Sequence, residues 1–537
     1  MAKRKADRGP TPRSPSGISY THVVVAACAL FIVLCAVLMP YVPDDAYISF
    51  RYAENLADGK GLTFNPGEQP VEGYSNLLWI LLCAAIYRLG LELPAATPVL
   101  GVIIGILTIL SLAALYRRRS LPAAQAAIPM LVLAASGPYL VYVVSGLETA
   151  LFALLLVCTL LASDRFVASA DIRGGALLLV CGCLVALTRP EGLIVFPVAV
   201  LLLSGAAERR RPLLMVSGAF VLLLVVYNIW RVNYFGEWLP APFMSKGGGG
   251  VGLIDGWVRN LRIYFINEKT RFQPLGYYYL LLMVAGVFGF INSRSNARGR
   301  EVERLGVVLA LLLAAVYFNF VDWMPGMRYF VPLIPLLLLS SVHLLSLTAE
   351  DFRLDTRRRR LLFAMVVSVV LAFSLYGVAG LHREADQVEF GNRECHIPLG
   401  KWLRSAVPAN TLLAISDVGA TPYYSGLNTL DINKESLTDL HIAKHDFSVD
   451  YVLGKHPGVI VLVSRGIYTP MMGPQDFSLY KSDAFQSTYQ FVGTVRHAWV
   501  GDRCYWVYLH VDIPITREMV AGFPTGFGSQ YRTGFEL

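Results

Sequence analysis

Asp44 and Asp45 stand side by side directly after the first long apolar segment, with Arg51 one to two helical turns further on. Two adjacent carboxylates at a membrane boundary repel each other and are expensive to desolvate, so an ordinary surface role fits them poorly. One of the two could cap the helix that follows, since an aspartate at a helix start accepts backbone N–H bonds. The pair together, with a cation nearby, points to an acidic centre in a membrane-embedded active site. A partly desolvated carboxylate is a good general base for a hydroxyl group. About twenty residues on, Glu68 and Glu72 flank Pro70 behind an Asn65-Pro66-Gly67 turn. They read either as solvated loop charges or as further acids of the same site.

Other ionisable residues recur in short loops between apolar runs. These are Ser145-Gly146-Leu147-Glu148, Arg189-Pro190-Glu191-Gly192, the loop reaching Ser245-Lys246, and Asp322-Trp323-Met324-Pro325-Gly326-Met327-Arg328. Lys246 and Arg328 are the cations best suited to a phosphate, the lysine as a point charge and the arginine as a planar fork. Arg189 is a weaker candidate of the same kind, and Asp322 strengthens the case for Arg328 beside it. Simpler roles stand next to each. Glu148 suits a helix start, Arg189 and Glu191 could form an ion pair within their loop, and Arg328 could be an interfacial anchor.

The elements that must position these residues are helices in a bilayer. The chain has 537 residues, 55% of them hydrophobic and only 16% charged, against about 25% charged in soluble proteins. Several apolar runs approach the roughly 20 residues needed to cross a membrane. A basic tail, residues 1–20, precedes a first crossing at 21–41, read as a retained anchor. Further crossings are expected at 98–116, 122–137, 148–163, 174–189, 192–206, 213–232, 275–292, 305–320, 330–347 and 361–380. The run 74–90 reads as a re-entrant or juxtamembrane helix, because a full crossing would put Arg117 to Arg119 on the outer side. With eleven crossings every arginine cluster falls on the cytoplasmic side and the chain ends outside. The acidic loops 42–97 and 233–274 then share the extracytoplasmic face with a soluble region, 382–537.

That last region alternates short apolar runs (Thr411–Ile415, Val459–Val463, Phe491–Val495, Tyr505–His510) with Gly, Pro and Asn, the pattern of a small α/β domain. Residues 21–381 form the transmembrane domain. The net charge of +8 sits in short loops between apolar runs, so it is topogenic and excludes nucleic acid as a partner. Six cysteines lie in or beside apolar segments as small packing residues, whereas Cys395 and Cys504 could pair in an oxidising compartment. His441, Lys444 and His445 are too scattered for a metal motif, and the chain has no phosphate-binding glycine loop or dinucleotide fingerprint.

Taken in order, Asp44-Asp45, Arg51, Asn65-Pro66-Gly67-Glu68 with Glu72, Ser145 to Glu148, Arg189-Pro190-Glu191, Ser245-Lys246, and Asp322 to Arg328 followed by Pro332 and Pro335 resemble the GT-C superfamily of integral-membrane glycosyltransferases. Within it the chain is most similar to the mycobacterial arabinofuranosyltransferases. The resemblance runs across residues 20–350, and the C-terminal region departs from it. It implies an α-helical membrane enzyme that takes a sugar, arabinofuranose in the first instance, from a polyprenyl-phosphate donor to a glycan or protein acceptor outside the plasma membrane. It implies that Asp44 is the base and that Asp45 binds acceptor, sugar or metal. Arg51, Lys246, Arg328, Arg189 and Asp322 would then hold the donor, and Glu68, Glu72, Glu148 and Glu191 would line the acceptor side. The family leaves room for a divalent cation, with Asp45 and Glu148 as candidate ligands, and requires no other cofactor. A transporter or flippase of lipid-linked glycans is the alternative, but it should gather its ionisable groups near the midplane and not at one face.

Overall fold

The computed structural model describes residues 19–39, 41–241, 253–266, 273–318, 324–344, 365, 377–433, 436–445, 447–465, 473–497 and 503–524. The basic tail up to residue 18, Lys246, Asp322 and most of the crossing expected at 361–380 lie outside the described residues.

Helix α1 (Tyr20–Leu38) opens at Ser19, whose hydroxyl accepts the His22 N–H. Amphipathic α2 (Asp44–Ala57) and α3 (Leu77–Arg88) follow and pack on each other. At twelve residues α3 is about 18 Å long, well short of a hydrocarbon core of about 30 Å. Helix α4 (Leu93–Arg118) is long enough to cross, and it lies so close to α1 that a Cβ on Gly105 would come within 2.2 Å of the Phe31 ring.

Next come α5 (Ala123–Ala134) and α6 (Gly137–Val143), which meet at a bend of 59°. Pro138 sits in the first turn of α6, where its missing N–H costs nothing, so the break is written into the sequence. Helices α7 (Thr149–Ser169), α8 (Ile172–Thr188), α9 (Val195–Leu203) and α10 (Ala207–Phe235) complete this part, followed by helices at Gln273–Ile291, Ala297–Tyr317 and Leu333–Ser341.

Burial sorts these helices into core and periphery. The most apolar window of α7 is 78% buried, whereas that of α10 is 17% buried, and Leu214, Leu222 and Val226 stand out from it into the surroundings. So much exposed apolar surface is tolerable only where the surroundings are lipid. The protein is a multi-pass membrane protein.

The eleven crossings expected from the arginine pattern lie only in part within the described residues. Four helices are long and apolar enough to span, or five with the bent α5–α6 pair, among the described residues. Two of the others are short beside prolines: Pro190 opens a 3-10 turn before the nine-residue α9, and Pro332 and Pro335 flank the start of the nine-residue helix Leu333–Ser341.

Past residue 377 a helical run leads into Ile397–Ala406 and then into a five-stranded sheet ordered β2-β1-β3-β5-β4. Strands β1 (Leu413–Ile415), β2 (Thr429–Asp431) and β3 (Val459–Arg465) are mutually parallel, and β5 (Arg503–His510) runs antiparallel to both β3 and β4 (Tyr489–His497). Alternation along the strands decides what each face covers. Leu413, Ile415, Val459, Val461, Val507 and Leu509 join the core of the helical body. Ala414, Leu430, Ile460 and Leu462 pack instead under Val452, Leu479 and Phe485 from the short outer helices. The sheet is therefore fused to the helical body by one apolar face. Cys395 and Cys504 are both buried and unbridged, so the pairing considered from sequence is not formed.

Candidate active site

The turn between α1 and α2 is held from the far end of the chain. Val42 N–H donates to Glu389 Oε2 at 3.1 Å, and Asn392 Nδ2 donates to Val42 O at 2.8 Å. Pro43 follows with φ −68°, and α2 begins at once, so both aspartates fall in its first turn. Their charge suits the positive end of the helix dipole there.

The two aspartates then diverge. Asp44 turns to the C-terminal region, where its Oδ1 accepts the Ala420 N–H at 2.7 Å. Gly419 is pressed against the same carboxyl, for a Cβ on it would lie 2.2 Å from both Cγ and Oδ2 of Asp44. Burial raises the Asp44 pKa and is the largest influence on it. The nearby His396 opposes that rise, Asp417 adds to it, the Ala420 N–H opposes it and Asp45 adds to it. His396 is itself held through Nδ1 to Thr421 Oγ1 at 3.2 Å. Asp417 accepts from the Tyr505 hydroxyl and lies 3.5 Å from Arg503 Nη1.

Asp45 faces the helical body and pairs with Arg328, Nη1 to Oδ2 at 3.2 Å. From there a continuous polar chain runs through the protein. The Arg328 guanidinium lies 4.9 Å above the Tyr329 ring, and Arg189 lies 4.9 Å from the same ring. Arg189 is buried between Glu191 at 2.6 Å and Glu148 at 3.2 Å. Glu148 also accepts from Asn76 Nδ2 at 3.0 Å, and that amide reaches Ser49 Oγ at 3.0 Å. Ser49 lies one turn beyond Asp45 on α2, so the chain closes into a ring. Its three carboxylates are each paired with one of its two cations, which leaves the ring one net negative charge.

Asp44, Asp45, Arg328, Arg189, Glu148 and Glu191 are thus brought together. The other residues singled out from sequence are placed elsewhere. Arg51 is buried and spends its donors on backbone: Nε on Phe64 O at 2.8 Å, Nη1 on Pro422 O at 2.6 Å and Nη2 on Leu427 O at 2.6 Å. It ties α2 to the C-terminal region and is not presented to a donor phosphate. Glu72 is buried against Arg231 of α10, accepting from Nε at 3.1 and 3.0 Å and from Nη2. Glu68 is exposed and accepts from Asn65 at 3.0 Å and Asn428 at 3.1 Å. No group of three or more His, Cys, Asp or Glu is gathered for a metal among the described residues. Asp45 and Glu148 each carry an arginine, so a cation there would have to displace a guanidinium.

Gly419, Ala420, His396 and Asp417 escaped sequence reasoning. One signal was available: Asp417 to Gly419 lie in the loop at the carboxyl end of parallel strand β1, just before the helix Ala420–Ser425, a habitual place for functional groups in α/β sheets. A second omission lies elsewhere. The arginine-rich end of the helices also holds buried acids, Glu303 bonded to Arg119 at 3.2 Å and His343 at 3.0 Å, and Asp164 bonded to Arg298 at 2.6 Å.

Comparison with known proteins gives partial relatives and a shared fold. The chain is 31% identical over 275 residues to the terminal β-(1→2)-arabinofuranosyltransferase of Mycobacterium tuberculosis, covering 46% of this chain and 41% of that protein. It is 27% identical over 371 residues to the protein of the same name from Corynebacterium glutamicum, covering 61% of this chain and 52% of the relative. The crystal structure of ArnT from Cupriavidus metallidurans in the apo state superposes with a TM-score of 0.54 at 15% identity, over 91% of this chain and 98% of that one. The chain therefore shares the fold of ArnT, and part of its length is similar in sequence to proteins named arabinofuranosyltransferase. The chain spans about half the length of the curated relatives it matches. Its residues 382–508 match a family described as a domain of unknown function, DUF8728. The ArnT of Cupriavidus metallidurans has also been solved bound to undecaprenyl phosphate, with a TM-score of 0.54, 16% identity, and coverage of 91% of this chain and 97% of that one.

Proposed function

We propose that this chain is an inverting glycosyltransferase of the GT-C type that moves a sugar, arabinofuranose in the first instance, from a polyprenyl-phosphate donor to an acceptor hydroxyl at the extracytoplasmic face of the plasma membrane. The observation that carries the reading is the divergence of Asp44 and Asp45. One is a half-buried carboxyl with a raised pKa, and the other is a carboxylate neutralised by Arg328. A base and a paired anion–cation couple side by side suit a displacement at an anomeric carbon.

Asp44 takes the proton of the acceptor hydroxyl as its oxygen forms the new bond to the anomeric carbon. The bond from that carbon to the phosphate oxygen breaks, and the electron pair leaves with the phosphate. A single displacement inverts the configuration. Arg328, and Lys246 with it, would stabilise the charge that grows on the leaving phosphate. Arg189 would hold Tyr329 and Arg328 in place from below, and Asp45 would keep the Arg328 fork aimed until the donor arrives. Asp322, Glu148, Glu191, Glu68 and Glu72 would shape the approach of donor and acceptor. The 233–274 loop and α3 would line an apolar groove for the lipid tail. Residues 21–381 would be the catalytic membrane domain, and the C-terminal region would stand outside the membrane with the acceptor.

The relatives named arabinofuranosyltransferase support the sugar, and the fold shared with ArnT, solved with undecaprenyl phosphate, supports a lipid-phosphate donor. Mass spectrometry of products from purified protein, offered a panel of polyprenyl-phosphate-linked sugars with glycan and peptide acceptors, tests the reading. A mass gain of one pentose from the arabinofuranosyl donor is expected. Movement of intact lipid-linked glycan across proteoliposomes without any new glycosidic bond would overturn it in favour of a flippase.

A further inference from the structure

We infer that the Gly419–Ala420 peptide is a positioning element for Asp44, so that the acidic centre is completed by the C-terminal region and not by the membrane helices alone. The inference rests on the reading of Asp44 as the base, and it adds a role for a region whose matching family has no assigned function.

Two independent contacts carry it. The Ala420 N–H is bonded to Asp44 Oδ1 at 2.7 Å. Gly419 leaves no room for a side chain, because its Cβ would sit 2.2 Å from Asp44 Cγ, 2.2 Å from Oδ2 and 2.3 Å from the Asp44 carbonyl oxygen. The peptide therefore fixes one carboxyl oxygen by a hydrogen bond and the other by contact. Fixing both removes rotation about the side chain, and the oxygen not bonded to Ala420 is left to accept a proton. The loop is in turn anchored on three sides. Arg51 donates to Pro422 O and Leu427 O, His396 meets Thr421, and Tyr423 donates to Glu54 of α2. None of these anchors belongs to the set expected from the family resemblance except Arg51, which thereby acquires a function: it seats the loop that seats the base.

The consequence for protonation can be signed. The charged groups facing Asp44 are Asp45 from its own helix, and His396, Asp417 and Arg503 from the C-terminal region, with the Cys395 thiol also close. Against the rise caused by burial, the Ala420 N–H stabilises the ionised form. Deleting that N–H leaves the other groups in place and drives the Asp44 pKa further up, so the base is withdrawn from use at neutral pH.

The test uses the full-length protein in detergent. A hydrophobic carbodiimide labels protonated carboxyls, and mass spectrometry of the Asp44 peptide across pH gives the pH of half-labelling without reference to catalysis. Ala420→Pro removes the N–H at a first helical residue and sets a ring carbon against Oδ1 in its place. Gly419→Ala displaces the carboxyl instead. Both are expected to move half-labelling upward by about one pH unit, to shift the acid limb of sugar transfer by the same amount, and to lower the rate at neutral pH about tenfold. Gly454→Ala, where a Cβ meets nothing within 4 Å, should change neither. Should Ala420→Pro emerge aggregated, Gly419→Ala carries the same measurement. Unshifted labelling in the folded variants overturns the inference. Transfer that survives in Asp44→Asn overturns the base assignment instead, and the two failures are read from different samples.

Discussion

Asp44 is a carboxyl that the folded protein holds against its own preference for charge. Its folded pKa lies above the unfolded value, so the folded state retains a proton that the unfolded state gives up. Folding stability from this group is fully present at low pH and falls as pH rises from the unfolded value through the folded one. Asp44→Asn removes that penalty while leaving an oxygen to accept from Ala420. Transfer should then fall by about 10²- to 10⁴-fold, while the thermal midpoint at pH 7 stays level or rises. A midpoint that drops would show that the charge helps to hold the fold. Arg328 is tested at the same scale. Arg328→Lys keeps a cation beside Asp45 but loses the planar fork and the stacking on Tyr329, so it should lower kcat while Arg328→Ala lowers it further. The acidic pair was legible in the sequence because two charges beside an apolar run are costly enough to need a reason. Their division of labour was not, since both have the same chemistry and only their neighbours differ.

The polar ring from Asp45 to Ser49 shows how short elements lock a site together. Arg189 sits where α8 ends, between an acid at the start of α7 and another in the turn before α9, and it joins three helix ends that carry few backbone bonds to each other. Arg189→Ala strands two carboxylates in a buried setting, and a loss of about 3–5 kcal/mol in unfolding free energy is expected in denaturant titrations. Arg231→Leu should act similarly by orphaning Glu72, and pairing it with Glu72→Leu should recover much of the loss. If the double variant is no better than the single one, the pair is not acting as a unit. Sequence spacing exposed these residues as loop charges but could not tell a catalytic from a bracing role. Arg51 makes the point: on an amphipathic helix next to two aspartates it resembled a donor ligand, and its partners are carbonyls of residues 64, 422 and 427. Contacts across more than 350 residues leave no periodicity to read.

At the scale of the whole molecule, the membrane character followed from composition, and four or five spans among the described residues are long and apolar enough to cross. The alternating runs near 411, 459, 491 and 505 do lie in strands, because a sheet buried on both faces needs apolar residues in continuous short stretches. What patterning could not convey is that one face of that sheet shares a core with the helices. That shared core has an acid-sensitive member. Burial, aided by His396 and Arg503, lowers the His497 pKa to about 3, so the folded state keeps it neutral where the unfolded chain takes up a proton. Stability should therefore be complete above about pH 6.5 and decline as pH falls towards 3. His497→Gln should flatten that decline, as followed by melting temperature between those limits. A last consequence concerns how the protein is made. Asp44 leaves the ribosome 376 residues ahead of the amide that holds it. Any chain cut short before that amide presents its acids without their seat, so incomplete products in the membrane are expected to be inert, and the order of synthesis itself delays activity until the molecule is whole.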